Sequence, residues 1–390
     1  MIPLSSPSIS EDDISEVLDV LKSGQLSMGR KTEEFERSIA GFTGVKHAIA
    51  VNSGTSALHL ILRSVGIGRE DVVITTSFSF IASSNCIIFD GGIPIFADID
   101  PETLNLSPDS VRELIDRIEK GEYRLNGCAI QRKDLKAILV VDVFGQPADW
   151  DEFEPLSRDE NLILIEDSCE AIGAEYKGKK AGSFGVAGAF AFYPNKQITT
   201  GEGGVIVTND GKIDELCRSM RNQGRKVKSE WLEHVRLGYN YRMDEMSAAL
   251  GLSQLRRIDE ILEKRERVAR RYNEMLRDVD GVETPFISPK TTRMSWFVYV
   301  LKLDENIDRD KVMDYMGNEE IESIQTRAYF PAIHLQKFYR EEFGYSEGFL
   351  PITESISKRT LALPFYTDLK EEDQEKVVHK LRRAIELFGR

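Results

Sequence analysis

Cysteine and histidine are both scarce in this sequence. Its 390 residues include four cysteines, which form no CxxC pair, and five histidines that lack the spacing of metal ligands. A disulfide framework or a zinc site needs such residues close together, so neither a disulfide nor a metal site is expected. The cysteines are interpreted as reduced structural thiols: Cys86, Cys128, Cys169 and Cys217.

Long hydrophobic runs and an excess of positive charge are also missing. No apolar run approaches the roughly 18 residues that cross a bilayer, and no basic and apolar signal segment opens the chain. Lysine and arginine number 51 against 65 aspartates and glutamates, so the formal net charge is -14. Nucleic acids and membranes are therefore not expected as partners, and the cytoplasm is the expected location.

Short apolar, β-branched runs alternate with helical patterns through the first 250 residues. Several of these runs are continuously apolar, which is typical of strands that are covered on both faces. The alternation predicts an α/β domain over residues 1–250 with a mainly parallel sheet and helical crossovers. The predicted strands are residues 48–51, 72–75, 94–97, 138–143, 162–165, 188–192 and 205–208.

A long amphipathic pattern follows this domain. Apolar residues between positions 258 and 276 keep the spacing of one helix face, with dense charge between them. We interpret the segment as a helix that leads into a smaller α+β domain, so that residues 251–390 comprise the linking helix and that domain. The smaller domain is predicted to run from the segment 296–300 to a final helix at 371–387.

Three features of the large domain carry groups that suit one cofactor. Lys196 stands in a tight segment before the glycine-rich turn 201–204, and Asp167 follows the apolar run 162–165. Residues 53–56, Ser-Gly-Thr-Ser, open a helix after a buried strand. Pyridoxal phosphate needs an amine for a Schiff base, a carboxylate for its pyridinium nitrogen and a helix start for its phosphate. Taken singly, Asp167 and the hydroxyl residues also suit ordinary capping roles.

Three further segments have competing interpretations. Phe80 follows the predicted strand 72–75, where a ring either stacks on a cofactor or joins the core. Asn240 precedes a helix rich in small residues and suits a site or a plain loop. Residues 173–180 nearly match a phosphate-binding loop but end in Lys180 instead of serine or threonine, so a hairpin turning at 177–179 is predicted.

Together these segments resemble the DegT-type sugar aminotransferases, a branch of the fold-type I pyridoxal phosphate enzymes. The resemblance extends from residues 29–36 to 363–364. Its most specific parts are residues 53–57, the pair Glu166 and Asp167 with 171–173, Lys196 with 200–204, and 238–243. The resemblance implies the fold-type I architecture, with a large sheet domain and a smaller C-terminal domain.

The resemblance also implies a role for individual residues. Lys196 would form the Schiff base and carry the proton, and its retention favours amino transfer, because relatives with histidine there are dehydratases. The resemblance also implies that Asp167 binds the pyridine nitrogen, that Thr55 and Ser56 bind the phosphate, and that Phe80 stacks on the ring face. It implies that Asn240 reaches the phosphate of the partner subunit's cofactor, and that Tyr329 and His334 contact the sugar.

Two positions depart from the family pattern. Ala191 stands five residues before the lysine, where many relatives have a serine that contacts the phosphate. Glu170 stands three residues after Asp167, where most relatives have glutamine or histidine near the cofactor's phenolic oxygen. A carboxylate beside a phenolate is unfavourable unless it is protonated, bridged or turned away, so Glu170 is either a cofactor-binding group with altered electronics or only a neighbour.

The implied activity is transfer of an amino group by a homodimer with shared active sites. The expected donor is L-glutamate, and the expected acceptor is a keto sugar attached to a nucleotide, in polysaccharide biosynthesis. Two alternatives stay open at this point: a cyclic ketone without a nucleotide, such as an inosose, and a regulatory relative without turnover.

Overall fold

The structure is a computed structural model and describes residues 1–226, 233–318 and 323–389. Its main sheet has seven strands, ordered β1-β7-β6-β5-β4-β2-β3. The strands are β1 His47–Val51, β2 Val72–Thr76, β3 Ile93–Ala97, β4 Leu135–Val141, β5 Ile163–Asp167, β6 Ala187–Ala191 and β7 Gly204–Thr208. All seven predicted strands are confirmed, each within three residues of its predicted ends.

The sheet is mainly parallel, as predicted, with one exception. The pairs β6 with β5, β5 with β4, β4 with β2 and β2 with β3 are parallel. Strand β7 runs antiparallel to both of its neighbours, β1 and β6. Because β6 and β7 are antiparallel, the chain reverses between them, and the reversing segment contains Lys196.

Helices flank this sheet, which is buried on both faces. Successive side chains of β4 enter different clusters: Leu139 packs with Leu58 and Ile61, and Ile138 packs with Leu114 and Phe153. The helices of this part are α1 Glu11–Ser23, α2 Arg30–Thr43, α3 Gly54–Ser64, α4 Ala82–Ile88, α5 Pro108–Glu119, α6 Trp150–Asp159, α7 Gly211–Arg221 and α8 Glu245–Arg256.

The predicted long helix is confirmed as α9, Ile258–Leu276, and it contributes to two cores. Its first half places Ile258 and Ile261 against helices of the sheet domain, whereas Val268 and Tyr272 join the C-terminal core. That core covers an antiparallel sheet of β8 Val282–Glu283, β9 Tyr299–Leu303 and β10 Thr360–Leu363. The remaining helices are α10 Arg309–Gly317, α11 Lys337–Phe343, α12 Pro351–Arg359 and α13 Glu371–Phe388.

The ends of the chain refine the predicted layout. The segment 296–300, the predicted start of the smaller domain, leads into strand β9, which begins at Tyr299. The amide of Ile2 donates to the carbonyl of Ser323, and Ile2 packs in the C-terminal core, although residue 2 was assigned to the large domain. The domain division at residue 250 stays a prediction.

Three findings bear on the function classes considered above. Strands Glu175–Tyr176 and Lys179–Lys180 form the predicted hairpin in place of a phosphate-binding loop. Among the helices in the described parts of the chain, none is long and apolar enough to cross a membrane. The same ranges contain no group of three metal-ligating side chains.

Candidate active site

A cavity of about 560 Å³ lies at the carboxyl ends of the parallel strands. Ligands of open α/β sheets bind at this edge, and the volume is in the range of sites for small molecules. Six of the predicted site residues line the cavity: Thr55, Phe80, Asp167, Glu170, Lys196 and Tyr329. The fold therefore brings together residues that are up to 274 positions apart in the sequence.

Lys196 lies in the segment that reverses the chain between β6 and β7. Its backbone N–H donates to the carbonyl of Tyr193 at 2.9 Å, and its side chain is only 11% exposed. The amine Nζ is 3.6 Å from Oε1 of Glu170 and 3.8 Å from the centroid of the Phe297 ring. The primary amine is thus held inside the cavity by a carboxylate and an aromatic face.

Asp167 is the last residue of β5 and is 3% exposed. Its Oδ2 accepts a hydrogen bond of 2.7 Å from the hydroxyl of Ser83, and its Oδ1 accepts from the amide of Cys169 at 3.1 Å. These donors fix the carboxylate at the cavity wall. A carboxylate in this place is suited to pair with a protonated ring nitrogen.

The first turn of α3 provides the anion-binding part of the site. Ser53 caps the helix, because its side chain accepts from the amide of Ser56 at 3.1 Å. A Cβ on Gly54 would lie 2.6 Å from Cβ of Ala191, so only glycine allows this close approach of α3 to β6. Backbone N–H groups and the helix dipole at such a start favour a phosphate.

The two hydroxyl residues of this turn differ in their placement. Thr55 lines the cavity, as predicted. Ser56 is 7% exposed and is not among the lining residues; its hydroxyl donates to Oδ1 of Asn52 at 2.7 Å. The prediction that Ser56 contacts the phosphate through its side chain is therefore not supported by its position.

Glu170 is buried at the inner end of the cavity. Its Oε2 accepts from the amide of Phe144 at 2.9 Å, and its own carbonyl accepts from the side-chain amide of Gln197 at 2.6 Å. Burial raises the pKa of the Glu170 carboxyl, an effect that the charge of Lys196 and the Phe144 N–H partly offset.

Two further carboxyl groups, those of Asp142 and Glu166, are buried near Asp167. The hydroxyl of Ser168 is 2.7 Å from both Oδ2 of Asp142 and Oε1 of Glu166, so a single hydroxyl proton serves two acceptors. Burial raises the pKa of Asp142 to about 6 and also raises the pKa of Glu166. A proton held by this pair reduces the repulsion that its charge would exert on Asp167.

Besides Ser56, two predicted site residues do not line the cavity. Asn240 is exposed, and its carbonyl accepts a 3.4 Å hydrogen bond from Asn52, so its predicted contact with a partner subunit's cofactor stays a prediction. His334 is fully buried; its Nδ1 is 2.7 Å from the Ser77 hydroxyl and its Nε2 is 3.1 Å from Glu354. Both ring nitrogens of His334 already have buried partners and the residue does not line the cavity, so its predicted sugar contact stays a prediction.

Three other lining residues have no strong signal in the sequence. Ser83, Phe297 and Phe330 line the cavity beside the predicted group. Phe297 and Phe330 stand in apolar segments that suggest only core packing, and Ser83 in a serine-rich helix start that suggests capping. Of these three residues, only Phe330 is adjacent to a predicted site residue, Tyr329.

The residues present fit pyridoxal phosphate. One cavity contains a buried primary amine, a buried carboxylate and a helix start with room only for glycine, and the exposed ring of Phe80 lines the same wall. These groups match the aldehyde, the pyridine nitrogen, the phosphate and the ring face of that cofactor.

Comparisons with known proteins agree with this assignment. The sequence pattern of the DegT/DnrJ/EryC1/StrS aminotransferase family matches residues 7–382. GDP-perosamine synthase of Caulobacter vibrioides is 36% identical, covering 98% of both chains. Spore coat polysaccharide biosynthesis protein SpsC of Bacillus subtilis is 35% identical, covering 98% of this chain and 97% of SpsC. The structure of PseC from Helicobacter pylori, an aminotransferase involved in the biosynthesis of pseudoaminic acid, superposes with a TM-score of 0.89 at 28% identity, over 99% of this chain and all of PseC.

Proposed function

Because the chain belongs to the DegT/DnrJ/EryC1/StrS aminotransferase family, we propose that it transfers an amino group from L-glutamate to a nucleotide-linked keto sugar, using pyridoxal phosphate. The observation that carries this proposal is the placement of the Lys196 amine and the Asp167 carboxylate in one cavity, beside the start of α3. The names of two relatives, a GDP-perosamine synthase and a spore coat polysaccharide biosynthesis protein, support an acceptor used in polysaccharide biosynthesis. A cytoplasmic location stays a prediction.

When bound, pyridoxal phosphate supplies an electron-accepting ring that stabilises negative charge on the carbon losing its proton. Asp167 would hold the ring nitrogen, while the first turn of α3 with Thr55 would hold the phosphate. Lys196 would act as the general base that removes a proton from the substrate carbon and then as the acid that donates it again. Its amine is the one basic side chain among the described residues that line the cavity. Phe297 and Phe330 line the cavity and would exclude water from this proton transfer.

An assay of paired acceptor panels tests this function. With L-glutamate as donor, we expect 2-oxoglutarate and an amino sugar in equal amounts from at least one nucleotide-linked keto sugar. The matched panel contains cyclic ketones without a nucleotide, such as inososes. Turnover with only the second panel would favour the alternative class of acceptor. If L-glutamate transfers its amino group to no compound of either panel, the proposed acceptors are contradicted.

We further propose a homodimer in which Asn240 completes the partner subunit's phosphate site. The proposal accounts for the exposed position of Asn240 outside its own chain's cavity. If each site is built from two chains, Asn240→Asp is expected to inactivate the protein, because it places a carboxylate beside a phosphate.

Mixed dimers distinguish this arrangement from a purely local role of Asn240. Chains carrying Lys196→Ala and chains carrying Asn240→Asp are each expected to be inactive alone. After random mixing, about half of the dimers are mixed and each has one intact site of two, so about a quarter of wild-type activity should return. Mixed dimers that are verified by mass spectrometry but stay inactive would refute the shared site.

A further inference from the structure

Lys196 and Glu170 form a buried ion pair in the cavity. Their side chains are 11% and 6% exposed, and Nζ lies 3.6 Å from Oε1. A buried charge is costly unless a partner or a proton neutralises it. The charge state of Glu170 is therefore tied to that of Lys196.

The condition of this pair changes whenever the lysine condenses with an aldehyde. An ammonium must lose a proton before its nitrogen can attack a carbonyl, and the product no longer offers Glu170 an ammonium partner. The carboxylate of Glu170 accepts one hydrogen bond, from the amide of Phe144. A single hydrogen bond is not enough to stabilise an isolated buried carboxylate. The proton that Lys196 loses has an acceptor 3.6 Å away.

The surroundings hold both groups in place for this exchange. The Phe297 ring lies 3.8 Å from Nζ and stabilises the ammonium form. The side-chain amide of Gln197 donates to the carbonyls of Glu170 at 2.6 Å and Ser295 at 2.9 Å, which ties the segment after Lys196 to the segment that carries Glu170. The pair is thus built into the cavity wall.

We propose that Glu170 is the proton partner of Lys196, taking the proton of the ammonium when the amine condenses with the cofactor aldehyde and returning it only after the released amine has completed the proton transfer on the substrate. The proposal rests on the proposed function. In the first direction the ammonium and the carboxylate become an amine and a carboxylic acid; the amine then joins the carbonyl carbon and one water leaves. The reverse steps restore the ammonium and the carboxylate, so protons and electrons balance.

The electrostatics of the cavity agree with this exchange. Burial raises the pKa of Glu170, which favours the carboxylic acid once the positive charge of Lys196 is gone. The other ionisable groups that act on Glu170, or on which it acts, are Asp167, Cys169 and Tyr329. The charge of Asp167 raises the pKa of Glu170 and so favours its protonated form, whereas burial raises the pKa of both Cys169 and Tyr329.

Infrared difference spectroscopy on loading with pyridoxal phosphate tests the proposal without measuring turnover. Loading the wild-type chain should create the carbonyl stretch of one protonated carboxyl group, and adding L-glutamate, which releases Lys196, should remove it. In Glu170→Gln the stretch should be absent. Glu202→Gln is the matched control, because Glu202 lines the same cavity but is exposed to water, and this variant should keep the stretch.

The visible absorbance of the bound cofactor, recorded on the same samples, distinguishes failure of the role proposed for Glu170 from failure of the proposed function. A visible band without a new carboxyl stretch in the wild-type chain, or a stretch that persists in Glu170→Gln, would overturn the role of Glu170 alone. The absence of any visible band at all would overturn the proposed function, and this inference with it.

Discussion

Replacing Lys196 with alanine is expected to abolish amino transfer while leaving the fold intact. Loss of general acid–base catalysis alone lowers rates by roughly 10²- to 10⁴-fold, and this substitution also removes the nucleophile. Lys196 lines the cavity and no other lining residue that the structure describes is a lysine, so its neighbours cannot replace its amine. Turnover with glutamate and an accepted keto sugar, compared with cofactor retention on gel filtration, gives the measurement.

The matched control for this experiment is Lys179→Ala. Lys179 lies on the surface hairpin, outside the cavity, and forms an exposed ion pair with Glu154 at 3.5 Å. Such pairs contribute about 0 to 1 kcal/mol, so this variant should keep both fold and turnover. A Lys196→Ala protein that still turns over within a few-fold of wild type would contradict the assignment of the essential amine.

Asp167→Asn is expected to lower turnover by about 10²- to 10³-fold, the scale found when one preorganised electrostatic partner is removed from an active site. The substitution keeps the volume of a residue that is 3% exposed, and the side-chain oxygen can still accept from the amide of Cys169. Removing the charge takes away the group that keeps a bound ring nitrogen protonated. Turnover and the thermal unfolding midpoint are measured on the same preparation.

Asp98→Asn provides the comparison for this variant. Asp98 follows the parallel strand β3 and is also buried, but it accepts from the amide of Thr353 at 2.8 Å and does not line the cavity. We expect Asp98→Asn to lower the unfolding midpoint with little change in turnover for the folded protein. If Asp167→Asn behaves in the same way, then Asp167 is a structural cap and not a cofactor ligand.

The main sheet was predictable because its strands are short, apolar and covered on both faces. A run such as residues 162–165 has no amphipathic alternation, and the observed strand, Ile163–Asp167, differs from it only by a start one residue later and an extension through the polar Glu166 and Asp167. The direction of β7 was not predictable. Hydrophobic pattern does not specify whether a strand runs parallel or antiparallel, and the return path through the segment of Lys196 settles it.

Residues of the site were predictable where a local motif carries the chemistry. Lys196 and Asp167 stand beside turns and strand ends, so their position in the chain already places them at one edge of the sheet. Phe297 was missed because its contact with Lys196 joins two segments about a hundred residues apart. The sequence also does not reveal that the ring nitrogens of His334 contact Ser77 and Glu354, outside the cavity lining.

The most direct test of the account is chemical labelling of the amine that binds the cofactor. Purified protein loaded with pyridoxal phosphate is reduced with borohydride, digested and mapped by mass spectrometry. We expect one pyridoxyl group per chain, on Lys196 in the segment between β6 and β7. A label on Lys179 or Lys180 of the surface hairpin, with Lys196 unmodified, would contradict it.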